Sequence, residues 1–229
     1  MQHDLNSLKS RLENIWKPAD FERIFTSSKR PPHLIRQKTI LFSDGDPLDK
    51  LYLIKEGFVK LYRLSEEGKE TTIYPYGPGD VLGLRALISK DRCTKHNAEC
   101  LTDIKVMILS HQEFFNLTLR QPKYLIDLMH LCLNRLLYTE TRLEAFITTD
   151  TTSRVAIFLD YCMKRFGKET DSKVTLPIIL THQLIAEFIG SVRETVTLAL
   201  HKLEKEKILE IEKGRITILD AKALKEYCL

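Results

Sequence analysis

The sequence predicts an α+β chain in three parts: an N-terminal antiparallel β-roll of jelly-roll type, a long helix, and a C-terminal winged helix-turn-helix. Three observations predict it. Short β-rich runs between residues 39 and 109 are separated by glycine-bearing turn signals. Apolar residues then recur every three or four positions from Leu125 to Phe146. Residues 180–206, LTHQLIAEFIGSVRETVTLALHKLEKE, read as two helices joined by a tight turn, with a strictly alternating stretch behind them. The expected boundaries are 1–120 for the roll, 121–147 for the long helix and 148–229 for the C-terminal domain.

Composition bounds the answer. A chain of 229 residues can bury one large core or two small ones. Lys and Arg number 35 against 31 Asp and Glu, a net charge of +4, so no overall basic field announces nucleic acid and any such contact rests on local placement. The amino-terminal stretch MQHDLNSLKSRLENIWK is charged and amphipathic, unlike a signal peptide, and no apolar run reaches membrane-spanning length. Five cysteines at irregular spacing form neither a disulfide framework nor a zinc motif. A cytoplasmic protein with reduced thiols is expected.

Taken in order, residues 5–30 read as helical and stop before Pro31-Pro32. Strand runs follow at Thr39–Phe42, Lys50–Ile54, Phe58–Tyr62, Thr71–Tyr74 and Ile104–Leu109. Their turn signals are Asp44-Gly45-Asp46-Pro47, Glu56-Gly57, Glu67-Gly68-Lys69 and Gly77-Pro78-Gly79-Asp80. Gln121-Pro122 opens the long helix. Its seam of Leu125, Leu128, Cys132, Leu136, Thr139, Leu143 and Phe146 is close to heptad spacing. The polar run from Thr148 to Ser153 reads as a hinge, and Arg154–Phe166 as a helix ending at Gly167.

In the C-terminal pair, Thr181 is the N-cap of a helix burying Leu184, Ile185 and Phe188, and Ala186 lets a second helix cross closely. Gly190 supplies the left-handed turn. Ser191 and Glu194 have the spacing of a capping box. Val196, Leu200 and Leu203 face the core, leaving Arg193, Glu194 and Thr197 outward. Residues 207–219, KILEIEKGRITIL, alternate at Leu209, Ile211, Ile216 and Ile218 about a Lys213-Gly214 turn, a β-hairpin wing.

The run VRETVTLALHKLEKEKIL resembles the recognition helix of the CRP/FNR superfamily of bacterial transcription regulators, which typically carries an R-E-T-V core. The resemblance covers nearly the whole chain, and the glycines of the strand region are placed like those of a cyclic-nucleotide-binding β-roll. It implies a homodimer on a palindromic operator, with the long helix as a parallel interface through Leu125, Leu128, Cys132, Leu136, Leu143 and Phe146. Double-stranded DNA is the implied partner, with RNA polymerase a further one if the protein is an activator. DNA-contacting candidates are Thr181, His182, Gln183, Ser191, Arg193, Glu194, Thr197, His201, Lys213 and Arg215. Arginine pairs bidentately with guanine and glutamate accepts from cytosine. A further basic residue of the family, four positions beyond the Glu, falls on Leu198 here.

The roll departs from its family where a ligand would sit. In GDVLGLRALISKDRCTKHNAEC, Leu84 stands where a ribose-binding Glu is expected, and Thr94-Lys95 falls near the phosphate-binding Arg-Ser. Leucine accepts no hydrogen bonds, so an effector other than cyclic AMP is expected. Effector or redox candidates are Leu84, Arg85, Arg92, Cys93, Lys95, Cys100 and Thr139, with Cys132 on the seam. A thiol-redox regulator using Cys93, Cys100 and Cys132 is the alternative within the same fold. No cysteine precedes Cys93, so an iron–sulfur cluster is not expected, and His96 alone does not argue for haem. No nucleophile elbow, phosphate-binding glycine loop or HExxH is present, so no enzyme is expected. A cupin-like metal protein would need clustered ligands, whereas the seven histidines are scattered, so no metal site is assigned.

Overall fold

The structure, a computed structural model, describes residues 21–26, 31–68, 70–121, 123–171 and 173–228. Of the helix expected over residues 5–30, the segment α1 (Phe21–Thr26) is described; the remainder, and Pro122, lie outside the described residues. The described residues divide into two compact units, one up to Leu136 and the other from Leu137.

The first unit is a β-roll of two four-stranded antiparallel sheets. One has the order β1 (His33–Ile35), β8 (Ile104–Ser110), β3 (Lys50–Glu56), β6 (Val81–Leu82). The other has the order β2 (Ile40–Phe42), β7 (Asn97–Cys100), β4 (Val59–Leu64), β5 (Glu70–Tyr76). All five expected strands are present within a few residues. The short β1, β6 and β7 are additional to them, because two to four residues show too little alternation to stand out in a sequence. At the β3–β4 corner, Gly57 has φ 83°, and a Cβ there would lie 2.2 Å from the Asp103 carbonyl oxygen. Only glycine fits that corner.

Leu51, Leu53, Val81, Met107 and Leu109 form the roll's core with Leu84 and Leu87 of α2 (Leu84–Ile88). Ile24 and Phe25 of α1, and Phe114 of α3 (His111–Arg120), close it. Helix α3, which the sequence pattern leaves unassigned, has its own start. Ser110 Oγ accepts from Glu113 N at 3.2 Å, and the Glu113 carboxylate accepts from Ser110 N at 2.9 Å. That reciprocal pair is a capping box.

The long helix α4 runs Lys123–Thr148, 26 residues. Its Leu128 and Leu131 belong to the roll's core. Leu128 is therefore not part of an outward seam; it fills the space between the helix and the sheet residues beneath it.

The second unit is built on α5 (Thr151–Phe166), which ends before Gly167 as expected. The polar run from Thr148 to Ser153 is mostly helical: Asp150 caps α5 by accepting from Ser153 N at 2.8 Å, which leaves Thr149 and Asp150 between the helices. Next come β9 (Lys168–Thr170) and β10 (Lys173–Ile179), two strands beyond those the sequence predicts, then α6 (His182–Ile189) and α7 (Arg193–Lys205). The wing is β11 (Leu209–Glu212) and β12 (Arg215–Ile218), and α8 (Ala221–Glu226) follows. The sheet order is β11-β12-β10-β9. The core between sheet and helices holds Val155, Leu159, Val196, Leu200, Leu203, Leu209, Ile216 and Ile218, with Phe158 stacked on Phe188 at 5.0 Å. Each such aliphatic side chain removed from water contributes about 1.5–3 kcal/mol.

Candidate nucleic-acid interface

The helix-turn-helix is assembled from short-range chemistry. Thr181 Oγ1 accepts from Leu184 N at 3.1 Å and starts α6. Ile185 and Phe188 are buried while Leu184 is half-buried, less than the spacing suggests. Gly190 ends the helix at φ 65°, ψ 45°, the left-handed conformation expected of it.

The capping box expected at Ser191 and Glu194 does not form. Helix α7 begins one residue later than that motif requires, with Val192 as N-cap and no side-chain cap. Ser191 Oγ lies 2.8 Å from Thr195 Oγ1, which itself donates to Val192 O at 2.9 Å, so Ser191 donates to Thr195. Glu194 is thereby released from a capping role. Among the described residues, the side chains of Arg193 and Glu194 are exposed and make no hydrogen bond or ion pair. Val196, Leu200 and Leu203 are fully buried on the opposite side, as expected.

Thr197 is half-buried rather than outward. Its Oγ1 donates to Arg193 O at 2.9 Å, so at 2.8 Å from His182 Nδ1 it accepts. His182 is thus an Nδ1–H tautomer whose Nε2 is the acceptor. Partial burial, followed by the neighbouring His201 and Arg193, holds its pKa below the ordinary histidine value. This hydrogen bond ties the start of α6 to α7, a link that the helical pattern alone does not suggest. Gln183 and His201 are exposed; Gln183 donates to Glu187 at 3.0 Å and His201 lies 3.3 Å from Glu204.

The wing pairs Glu212 with Arg215 across a two-residue loop, Lys213 at φ 50° and Gly214 at φ 79°. Two positive φ values in a two-residue hairpin turn match the right-handed twist of the strands. Lys213 and Arg215 are both exposed there.

The other candidate groups separate. On α4, Leu125, Cys132, Leu136, Thr139, Leu143 and Phe146 are exposed. The apolar exposure extends to Ile126, Met129, Leu133 and Ile147, so the outward stripe runs Ile126, Met129, Leu133, Leu136, Leu143, Ile147 at alternating heptad steps broken by Glu140. Leu125 and Cys132 flank this stripe.

In the roll, Leu84 is a core residue, 6% exposed, and turns no polar atom toward a ligand. Arg85 is held by Asp91 at 3.3 Å and donates to the Cys93 carbonyl. The Cys93 backbone N–H and the Arg85 guanidinium hold the Asp91 carboxyl well below the usual carboxylate range. Lys95 lies 3.9 Å from the same carboxylate, and Arg92 is exposed with φ 50°. Thr94 is buried and its hydroxyl donates to Ser43 O. Cys93 Sγ donates to Asp91 O at 3.1 Å. Cys100 is fully buried, and burial pushes its thiol up to about 11. That is the opposite of a poised thiolate. Among the described residues no group of three or more His, Cys, Asp or Glu is arranged to hold a metal ion.

Comparison with known proteins gives the roll and the helix-turn-helix their counterparts. Residues 32–121 match the cyclic nucleotide-binding domain family, and residues 153–227 match the Crp-like helix-turn-helix domain family. The chain is 32% identical over 192 residues to the global nitrogen regulator of Synechococcus elongatus, covering 83% of this chain and 86% of that protein. It is 28% identical over 199 residues to the CRP-like cAMP-activated global transcriptional regulator of Mycobacterium tuberculosis, covering 87% and 88%. A CRP/FNR-family transcriptional regulator from Thermus thermophilus superposes with a TM-score of 0.70 at 28% identity, over 86% of this chain and 97% of that one.

This chain belongs to the CRP/FNR superfamily.

As a CRP/FNR protein it is a transcription regulator rather than an enzyme, with an effector-type β-roll and a DNA-binding helix-turn-helix. The fold expected from its strand runs, long helix and wing is the one observed. Among the described residues no helix is long and apolar enough to cross a membrane. Two residues that help position the helix-turn-helix carry no signal in the sequence. Arg142, in α4, donates to Phe188 O, and Arg154, in α5, donates to Ile189 O at 3.5 Å. No local pattern marks such arginines, since each acts on a helix end dozens of residues away.

Proposed function

We propose that this CRP/FNR regulator acts in the cytoplasm as a homodimer on a palindromic operator, reading bases with Arg193 and Glu194. The observation that carries this reading is the exposure of both side chains, unpaired among the described residues, in the first turn of α7. Arginine there suits guanine O6 and N7, and glutamate suits cytosine N4. Thr181, His182, Gln183, Ser191, Thr197 and His201, on the same two helices and the turn between them, add contacts around this site, and Lys213 and Arg215 on the wing serve as phosphate contacts. The exposed stripe of α4 supports the dimer, because an apolar heptad pattern left in water is satisfied by a second copy.

The roll's effector is a small molecule other than cyclic AMP. Leu84 lies in the core and the Thr94 hydroxyl is spent on Ser43, so neither serves a ribose phosphate. Arg85 of α2, with Arg92 and Lys95 of the loop after it, supplies positive charge beside Leu84. A change at the roll that shifts α4 alters the spacing of two recognition helices, which specific binding needs about 34 Å apart. An activator of this kind would also meet RNA polymerase.

The test is selection of bound DNA from a random pool by the full-length protein. The expected product is an inverted repeat with half-sites about one helical turn apart. Recovery of unrelated sequences would refute sequence-specific binding, and recovery of a single unrepeated site would refute the dimer.

A further inference from the structure

Leu198 is 70% exposed on a helix whose Val196, Ala199, Leu200 and Leu203 are buried. Successive helical residues are rotated by about 100°, so Leu198 projects nearly opposite that buried ridge and stands about 40° from Glu194, one turn earlier. Its neighbours on the outward face are Glu194, His201, Lys202 and Lys205. A lone exposed leucine needs no explanation on an ordinary surface. This one stands on the same outward face as Glu194, one turn further along the helix.

Position decides what it can do. A leucine set against a G·C pair removes polar base edges from water without returning a hydrogen bond, which is unfavourable. In the major groove the one apolar group is the C5-methyl of thymine. An isobutyl side chain brought there excludes water from that methyl and leaves no polar atom of its own unsatisfied.

We infer that Leu198 is a specificity-determining residue that packs on a thymine C5-methyl in each half-site, one helical turn beyond Glu194. The inference rests on the operator-binding reading above. It replaces a charged contact at this position with an apolar one. The operator is thereby required to carry T·A at a defined step from the base pairs met by Arg193 and Glu194.

The experiment uses the full-length protein and its selected operator, with each thymine replaced in turn by deoxyuridine, which pairs identically but lacks the methyl. Deoxyuridine at one position per half-site should weaken binding about three- to fivefold per half-site, the effect of exposing one methyl group. Leu198→Ala should weaken binding to the thymine operator and bind thymine and deoxyuridine operators alike, the coupling expected of two groups in contact. Its affinity for random DNA should stay unchanged. Leu198→Arg should move the preference at that same position from T·A to a guanine-containing pair.

Three results overturn the inference while leaving operator binding intact. The selected operator is bound but no deoxyuridine weakens it; Leu198→Ala keeps the deoxyuridine response; or Leu198→Arg changes preference at a different base pair. Failure to select any operator removes the operator-binding reading, and this inference with it.

Discussion

The Arg142 guanidinium donates to the carbonyl oxygen of Phe188, joining the later turns of α4 to the end of the first helix of the helix-turn-helix. The carbonyl end of a helix carries partial negative charge and unsatisfied acceptors. Arg154 supplies a second guanidinium to the next carbonyl, that of Ile189, and lies 5.1 Å from the Phe146 ring. Any displacement of this part of α4 is therefore felt by α6 through a polar contact, in addition to packing. Arg142→Ala should lower the stability of the DNA-binding unit by about 1.5–3 kcal/mol, the range for hydrogen bonds to charged groups. Urea unfolding of the two proteins side by side checks this, and coincident transitions would show that the contact contributes nothing.

Arg193→Ala should weaken binding to the selected operator by about 1–3 kcal/mol and relax preference at one base pair per half-site. Titration against specific and random DNA is the measurement. Equal losses on both would make Arg193 a phosphate contact.

Leu136→Asp places two like charges across the proposed α4 interface, and the protein should be monomeric at micromolar concentration. Leu136 is 53% exposed in the protomer, so the change leaves its core untouched. Specific operator binding should be lost while weak, salt-sensitive binding persists. A dimer in light scattering would place the interface elsewhere.

Cyclic AMP should produce no saturable binding heat at micromolar concentration and no gain in operator affinity. Calorimetry with the intact protein tests this directly; a saturating isotherm together with tighter operator binding would overturn it.

The buried thiols should resist alkylation in the native protein. With Cys100 raised to about 11, only on the order of one thiol in a thousand is a thiolate at pH 8. Burial likewise pushes Cys228 up to about 12 and raises Cys162. The reactive form of each appears as pH rises toward these values, so modification at pH 8 should be confined to Cys93 and Cys132. Peptide mapping that finds Cys100 modified in folded protein would restore a redox role for it.

Two groups of residues show how much of this is legible in the chain. The turn at Gly190, the Thr181 cap, the buried Val196, Leu200 and Leu203 and the Lys213-Gly214 wing all follow from interactions a few residues long, and the structure has each of them as expected. Backbone chemistry and side-chain period act locally, so sequence determines them. Ser110–Glu113 and Ser191–Glu194 share the capping-box spacing at the start of a helix, and only the first forms the box. The difference is where the helix begins. In the second case the start of α7 falls one residue late, leaving Glu194 uncapped and outward.

The periodicity of α4 likewise shows that a helix forms and that its apolar residues seek partners. It does not separate Leu128, which fills the roll's core, from Leu136, which stays exposed one stripe away. The same holds for Leu84, whose chemistry excludes ribose binding in any fold but whose burial is known only from what packs over it. The Arg142–Phe188 bond spans 46 residues, His182–Thr197 spans 15, and neither has a sequence pattern. Local sequence determined which elements form, what each could bury and the chemistry each side chain carries. The tertiary structure decided which apolar face was already satisfied within the chain, and which polar groups were spent on one another before any ligand or DNA could meet them.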